Sequence, residues 1–174
     1  ASAIKAANEA VIRLYAEGFE QVEVVAIGEK MAVAMTKSGC AMCREFPTSI
    51  GDYTYEEVAR LTEWLIEEYV AERVDRVEVA YHHFHSMGRQ VATVDRVLPV
   101  AVERFAVEAK VADTDYIFEP SAEELMSSLV PYAAKTQMYE ILLDNTTSEH
   151  AARTVAMQTA SDNANDLLDE LRLT

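Results

Sequence analysis

The chain is short of glycine, cysteine and basic residues, and each shortage argues against a class of function. Its 174 residues include five glycines, two cysteines and 15 basic residues against 30 acidic ones. Five glycines leave little room for a phosphate-binding loop, and Gly28 is followed by Glu29, Lys30 and Met31 rather than by further glycines. The net charge of -15 repels phosphate backbones, so we expect no nucleic-acid partner. No stretch approaches the roughly 18 apolar residues of a membrane span.

The two cysteines, Cys40 and Cys43, lie in a Cys-Ala-Met-Cys sequence. Two thiols need further ligands to complete a tetrahedral zinc site, and a redox pair normally begins a helix that follows a strand. Residues 41–46 are instead typical of a short strand that follows a turn at Ser38 and Gly39. We therefore interpret the thiols as incidental, and without a disulfide framework we expect a reducing compartment.

Three of the four histidines, His82, His83 and His85, follow a strand predicted over residues 77–81. Strand geometry places His83 and His85 on one face, where two imidazoles can share a metal ion. Such a site needs further ligands, and the fourth histidine, His150, belongs to the predicted terminal helix. The competing interpretation is that these histidines are polar residues at the end of the strand, where the chain leaves the sheet. The alternative function is accordingly a small α/β metal-binding enzyme that uses these histidines, while no spacing indicates a catalytic residue or a cofactor site.

Helical and strand patterns alternate through residues 1–120. Gly18 is expected to close the first helix, and Thr54 with Glu57 to cap the second. The helical patterns cover residues 4–16 and 55–74, and strands are predicted over residues 22–27, 31–35, 41–46, 77–81, 91–97 and 116–118. The alternation predicts an α/β domain over residues 1–120, a Rossmann-like layered sheet with flanking helices that lacks a nucleotide-binding fingerprint.

The last segment, residues 121–174, has a helical pattern that is too long for an ordinary globular helix. Ser121 and Glu124 form a capping box at its start. Pro131 and the Asn-Thr-Thr sequence at residues 145–147 leave two interpretations open, one bent helix or two segments. The apolar positions of its second half are Ala151, Ala152, Val155, Met157, Ala160, Ala164, Leu167, Leu168 and Leu171. Two ordinary helices on a core are the plain alternative; otherwise this stripe needs a partner helix.

Four sequence blocks follow one another in this part of the chain. They are Asp-Tyr-Ile-Phe-Glu-Pro-Ser at residues 115–121, Leu-Val-Pro-Tyr at 129–132, Ser-Glu-His-Ala-Ala-Arg at 148–153, and Ala-Met with Ser-Asp-Asn-Ala-Asn within 156–165. Their order and spacing resemble the gamma subunit of F-type ATP synthases, and the earlier region is more diffusely similar to that family's α/β domain. The resemblance implies a chain truncated at both ends, because the family has a long N-terminal helix and a longer C-terminal helix.

What the resemblance implies is the central stalk of a rotary motor. Such a subunit places an α/β domain at the base of an antiparallel coiled coil and transmits torque between a membrane c-ring and a catalytic head, with no catalytic site or cofactor of its own. The implied partners are the alpha, beta and epsilon subunits, the c-ring and the missing N-terminal helix. The implied location is peripheral to an energy-transducing membrane, on the cytoplasmic face in a bacterium. A third hypothesis is a coiled-coil module that pairs with itself through residues 148–171.

The resemblance also marks individual residues. Tyr116 and Glu119 match the family's foot region, which faces the c-ring and the epsilon subunit. Arg153 matches the arginine of the third block, on the part of the coil that reaches toward the stator, where we expect a packing and ion-pair role. Thr154 and Gln158 depart from the methionine and lysine that are usual beside it, so the charge pattern of this face differs from the family's.

Overall fold

The computed structural model describes residues 2–43, 54–101, 119 and 121–173. Within these ranges helices and strands alternate and the chain ends in a long helix, which confirms the α/β class and the long C-terminal helix. The elements in chain order are α1 (Ser2–Ala16), β1 (Glu23–Val24), α2 (Glu29–Lys37), β2 (Ala41–Met42), α3 (Tyr55–Val70), β3 (Val77–Ser86), β4 (Arg89–Leu98) and α4 (Ala122–Leu173). The strand predicted over residues 116–118 lies outside the described residues.

The described strands form two small sheets. Strands β1 and β2 pair in parallel, with Glu23 opposite Ala41, and α2 connects them. Strands β3 and β4 form an antiparallel hairpin that runs from the pair Val77 and Leu98 to the turn before Arg89. Parallel strands need such a crossover connection, whereas antiparallel strands need only a tight turn.

The strand predicted over residues 31–35 is wrong, because these residues lie inside helix α2. Alanine, methionine and lysine favour helix over strand, and the segment's one β-branched residue before Thr36, Val33, is half exposed. Met35 is completely buried, which a short amphipathic helix achieves by turning one side toward the protein. A helix of nine residues is too short to show a clear period in the sequence.

Helices α1, α2 and α3 end in the same way, with a residue of positive φ just after the last turn. The residues are Gly18, Gly39 and Glu72, with φ angles of 103°, 78° and 56°. In each case the next N–H donates to a carbonyl five residues earlier, as Phe19 does to Leu14 at 3.2 Å. This is the Schellman arrangement, and it confirms the predicted closure at Gly18.

The ends of α3 differ from the prediction only at its C-terminus. The Glu57 N–H donates to Thr54 Oγ1 at 3.4 Å, so the predicted cap is confirmed. The helix ends at Val70 rather than at residue 74, because the left-handed Glu72 turns the chain and Arg73 pairs with Glu68 through its guanidinium group. The sequence has no glycine near Glu72 from which this turn could be predicted.

Helix α4 is one continuous helix of 52 residues, about 78 Å long at 1.5 Å per residue. Ser121 caps it, since the Glu124 N–H donates to Ser121 Oγ at 3.2 Å. Pro131 lies inside the helix and does not divide it. Thr146 and Thr147 are helical, and each hydroxyl donates to a carbonyl one turn earlier. Of the two open interpretations, the single helix is therefore the observed one.

The β3–β4 hairpin separates α1 from the main core. On one side Glu78 of β3 pairs with Arg13 of α1 and with Arg76, and Arg76 also bonds Glu17 at 2.6 Å and stacks on Phe19. On the other side α3 and α4 close over the hairpin. The buried residues of this core are Val58, Leu61, Leu65, Tyr81, Val97, Leu98, Ala134, Met138, Ile141 and Leu142.

Two methionines of α4 test this division. Met138 is 2% exposed, so we expect Met138→Ala to lower the free energy of unfolding by about 2–5 kcal/mol through lost burial and a cavity. Met157 is 60% exposed, and Met157→Ala should change it by less than about 0.5 kcal/mol. Urea unfolding of the two variants, made in the 174-residue chain, measures the difference. Equal losses would contradict the placement of the core.

Candidate interaction surface

Helix α4 changes character after Ala151. Up to this residue one side of the helix is buried against α3 and the hairpin, and Ser148 and Ala151 are its last buried residues, at 1% and 4% exposure. From residue 152 to residue 172 every side chain is exposed. At 1.5 Å per residue this second part extends the helix by about 30 Å beyond its packed part. The first part is an anchor, and the second is a free surface within the part of the chain that the structure describes.

The free part carries an apolar seam, which we define as Met157, Ala160, Ala164, Leu167 and Leu171. These residues are separated alternately by three and four positions, the heptad spacing of a coiled coil. The three large members are 60%, 60% and 74% exposed. The two alanines let a facing helix approach closely. Five of the nine predicted stripe positions thus share one helical face, whereas Ala151, Ala152 and Val155 lie on another side of the helix, and none of the described residues covers the seam.

A polar group of three side chains joins the anchored part of α4 to strand β3. The Phe84 N–H donates to Asp144 Oδ1 at 2.8 Å, the His82 N–H donates to Asn145 Oδ1 at 3.0 Å, and Ser148 Oγ donates to the His82 carbonyl at 2.8 Å. We call Asp144, Asn145 and Ser148 the edge clamp. They satisfy backbone groups on the side of β3 that faces away from β4, in the way that a further strand would.

The sequence pattern did not identify the edge clamp as a contact. It indicated the region only as a possible break between two helical segments, because an Asn-Thr-Thr-Ser sequence interrupts an apolar stripe. The available signal was the spacing: Asp144, Asn145 and Ser148 stand at relative positions 0, 1 and 4, on the side of the helix that also carries Ile141 and Ala151. Polar residues on a buried side imply hydrogen-bonded partners.

The three histidines lie within β3 rather than after it, because the strand continues to Ser86 instead of ending at residue 81. His82 Nε2 lies 2.7 Å from Ser2 Oγ on the α1 side, whereas His83 Nδ1 lies 2.5 Å from Asp144 Oδ2 on the α4 side. His83 and His85 are both exposed, as expected for one strand face. Among the described residues no three metal-ligating side chains are grouped to hold an ion, so the metal-binding alternative has no geometric support there.

The residues matched by family resemblance are only partly visible. Tyr116 lies outside the described residues, and Glu119 is exposed just before α4. Arg153 Nη2 lies 2.5 Å from Glu149 Oε1, one turn earlier on α4, and both side chains are more than half exposed. A surface pair of this kind contributes about 0.3–0.5 kcal/mol to the helix. Its role toward another subunit stays a prediction.

Comparison with known proteins shows the family of the chain that carries this helix and seam. A family model described as ATP synthase matches residues 1–174, the whole chain. This chain belongs to the ATP synthase family that this model describes. It is 43% identical to the ATP synthase gamma chain of Parabacteroides distasonis over 164 residues, which covers 94% of this chain and 56% of that protein. The gamma chain of Cytophaga hutchinsonii is 34% identical over 177 residues, which covers all of this chain and 60% of that one.

Solved structures of ATP synthase rotors share the fold. The central stalk and c-ring structure of the Tetrahymena thermophila mitochondrial ATP synthase matches with a TM-score of 0.62 and 20% identity, over 92% of this chain and 70% of that one. The rotor of the Euglena gracilis enzyme matches with a TM-score of 0.50 and 16% identity. The family and fold expected from the sequence blocks are confirmed. The chain spans somewhat more than half the length of the gamma chains it matches.

A search of the described helices for a membrane span found none that is both long and apolar enough.

His82 gives a pH test of the hairpin packing. Burial lowers the pKa of His82 below 6.5, so the unfolded chain binds this proton more readily than the folded one. The histidine's contribution to stability is complete above about pH 6.5 and is lost as the pH falls through the lowered pKa. As the pH falls from neutral to mildly acidic, we expect the free energy of unfolding to decrease less in His82→Gln than in the parent chain. His85→Gln, at an exposed position of the same strand, is the control, and an unchanged pH profile for His82→Gln would contradict the assignment.

Proposed function

We propose that this protein is the central-stalk, gamma subunit of a rotary ATP synthase and transmits torque between a membrane c-ring and a catalytic head of alpha and beta subunits. One observation supports this beyond family membership. A single helix is packed into an α/β domain over its first part and presents an unpaired apolar seam over its second. A rigid base with a projecting helix is the mechanical form that a shaft requires.

The proposed occupant of the seam is the N-terminal helix of the same subunit. An isolated helix in water is marginally stable even in favourable sequences, and most helical stability comes from packing of an apolar face. Antiparallel packing along Met157, Ala160 and Ala164 would bury that face and brace the shaft against bending and twisting. The matched gamma chains are longer than this chain, which supports a partner segment within the same subunit.

The remaining partners follow from the matched positions. Tyr116 and Glu119 are the proposed contacts at the foot, toward the c-ring and the epsilon subunit, and Arg153 is the proposed contact from the shaft toward the stator. Glu119 and Arg153 are exposed and available for such contacts. The subunit itself is proposed to carry no catalytic site, so its contribution to ATP synthesis or hydrolysis is the change it imposes on catalytic sites in the head. Its proposed location is peripheral, at the cytoplasmic face of a bacterial plasma membrane.

Assembly is the first test of this function. We expect the full-length subunit that contains this chain to co-purify with alpha and beta subunits of its own organism in a complex that hydrolyses ATP. The measurement is ATPase activity and subunit composition after affinity purification through a tag on the alpha subunit. Absence of the gamma subunit from every ATP-hydrolysing fraction would contradict the proposal.

The seam provides a sharper test. In the full-length subunit Leu167→Glu should lower the free energy of unfolding by at least about 3 kcal/mol, because it places an unpaired carboxylate in an apolar contact. Asn165→Glu adds the same carboxylate on the opposite side of the helix and is the matched control. Urea unfolding of the two variants gives the comparison. Equal stability would show that the seam is not buried.

The self-pairing hypothesis predicts a different result for the same seam. A module that pairs with itself would form a dimer of the 174-residue chain, and Leu167→Glu would abolish the dimer. Sedimentation equilibrium of this chain separates the two hypotheses. A monomer at high concentration excludes strong self-pairing and leaves the facing helix of the same subunit as the proposed occupant.

A further inference from the structure

The edge clamp holds most of the hydrogen bonds between α4 and the hairpin. Elsewhere this contact is made mainly by apolar side chains, such as Ala134, Met138 and Ile141, with one further bond from Gln137 Nε2 to the Arg96 carbonyl at 3.2 Å. Apolar packing is non-directional, so it resists separation more than it resists sliding or rotation. Hydrogen bonds to fixed backbone groups depend on both distance and angle. The clamp, with three such bonds against the single bond of Gln137, therefore contributes most to fixing how the helix is rotated about its own axis.

The geometry of the clamp makes this constraint tight. Its three side chains bind backbone groups of only two strand residues, His82 and Phe84, at 2.8 to 3.0 Å. The ring of His83, between them, adds a contact with the second carboxylate oxygen of Asp144. Rotation of α4 by one residue position, about 100°, would break all of these bonds at once. Ser148 is 1% exposed, so its hydroxyl would find no water in exchange.

The position of the clamp adds a mechanical consequence. Ser148 and Ala151 are the last buried residues of α4, and the seam begins at Met157. The clamp thus occupies the end of the anchored part, immediately before the helix leaves the domain. Any twist that passes between the sheet domain and the projecting helix crosses this contact first.

We propose that Asp144, Asn145 and Ser148 are positioning residues that lock the rotation of the shaft helix to the sheet domain, so that the two turn together. This inference rests on the proposed function as a shaft, and it names the contact through which torque enters the helix. The apolar core keeps α4 attached, while the clamp determines its angle. Loss of the clamp is accordingly expected to loosen rotation without detaching the helix.

The test uses the full-length subunit in the assembled complex. The double variant Asn145→Ala with Ser148→Ala removes both bonds to His82. Thr147→Ala, which removes a neighbouring hydroxyl that bonds only the helix's own Leu143 carbonyl, is the matched control. Ser148→Ala alone is the milder variant if the double variant does not fold. Asp144→Asn keeps an acceptor oxygen for the Phe84 N–H and is the conservative replacement.

Two measurements are made on each variant. Amide hydrogen exchange at His82 should become at least about tenfold faster in the double variant, because its protection comes from the clamp. The mean-square angular fluctuation of the sheet domain about a head-fixed shaft, followed by a single-molecule probe, should rise at least about twofold, because two of the clamp's three hydrogen bonds to strand backbone are lost. Thr147→Ala and Asp144→Asn should change neither.

The outcomes separate this inference from the function beneath it. Unchanged exchange at His82 would show that the clamp does not protect the strand edge. Faster exchange with unchanged angular fluctuation would show that the clamp does not set the rotation of the helix. Either result, in an assembled complex that still hydrolyses ATP, overturns the inference. A parent subunit that never joins an ATP-hydrolysing head overturns the proposed function instead. Faster exchange with larger fluctuation, in a complex that still assembles, supports both.

Discussion

The packing of α4 on strand β3 is the contact on which the rest of the structure depends. Two strands make a hairpin that is marginal by itself, and β3 would present unpaired backbone groups along its outer edge. Helix α4 covers the hairpin with Met138 and Ile141 and satisfies that edge with Asp144, Asn145 and Ser148. The same contact therefore completes the core and holds a helix that is much longer than the domain beneath it.

A single helix serves two surfaces because its buried side changes along its length. Over the anchored part the buried side chains face the hairpin and α3. The polar residues on that side, the edge clamp, form hydrogen bonds with backbone groups of β3. Beyond Ala151 the five seam residues follow heptad spacing and are exposed. Heptad spacing and the 3.6-residue turn of a straight helix differ slightly, and a coiled coil absorbs the difference by supercoiling. The first part of the α4 sequence is thus suited to packing against the domain, and the second part to pairing with another helix.

Local signals in the sequence predicted the features that depend on neighbouring residues. The glycine turn at Gly18, the cap at Thr54 and the cap at Ser121 each rest on residues within one or two turns, and all three are present. The apolar seam was also readable, because a heptad pattern repeats over several turns. The gamma-chain family was identified from four short blocks, whereas the interfaces at Tyr116, Glu119 and Arg153 depend on other subunits and stay predictions.

What the sequence did not reveal depends on residues that are distant in the chain. Strand β3 continues past Tyr81 through polar residues because α4, about 60 residues later, supplies partners for its edge. The Asn-Thr-Thr sequence looks like a break for the same reason, since Asn145 serves the strand rather than a helix end. Residues 31–35 were assigned to a strand because nine residues of helix show too little periodicity. In the first two cases a tertiary contact, rather than local preference, decides the conformation.

The proposed shaft function requires that this subunit rotate relative to the head, and direct observation of that motion is the simplest test. A probe attached through Met87→Cys at the exposed hairpin turn, with Cys40 and Cys43 replaced by serine, reports the motion of the sheet domain in a complex immobilised by its head. The account predicts rotation in one direction that requires ATP and stops when ATP is removed. A probe that stays fixed relative to the head while ATP is hydrolysed would contradict it.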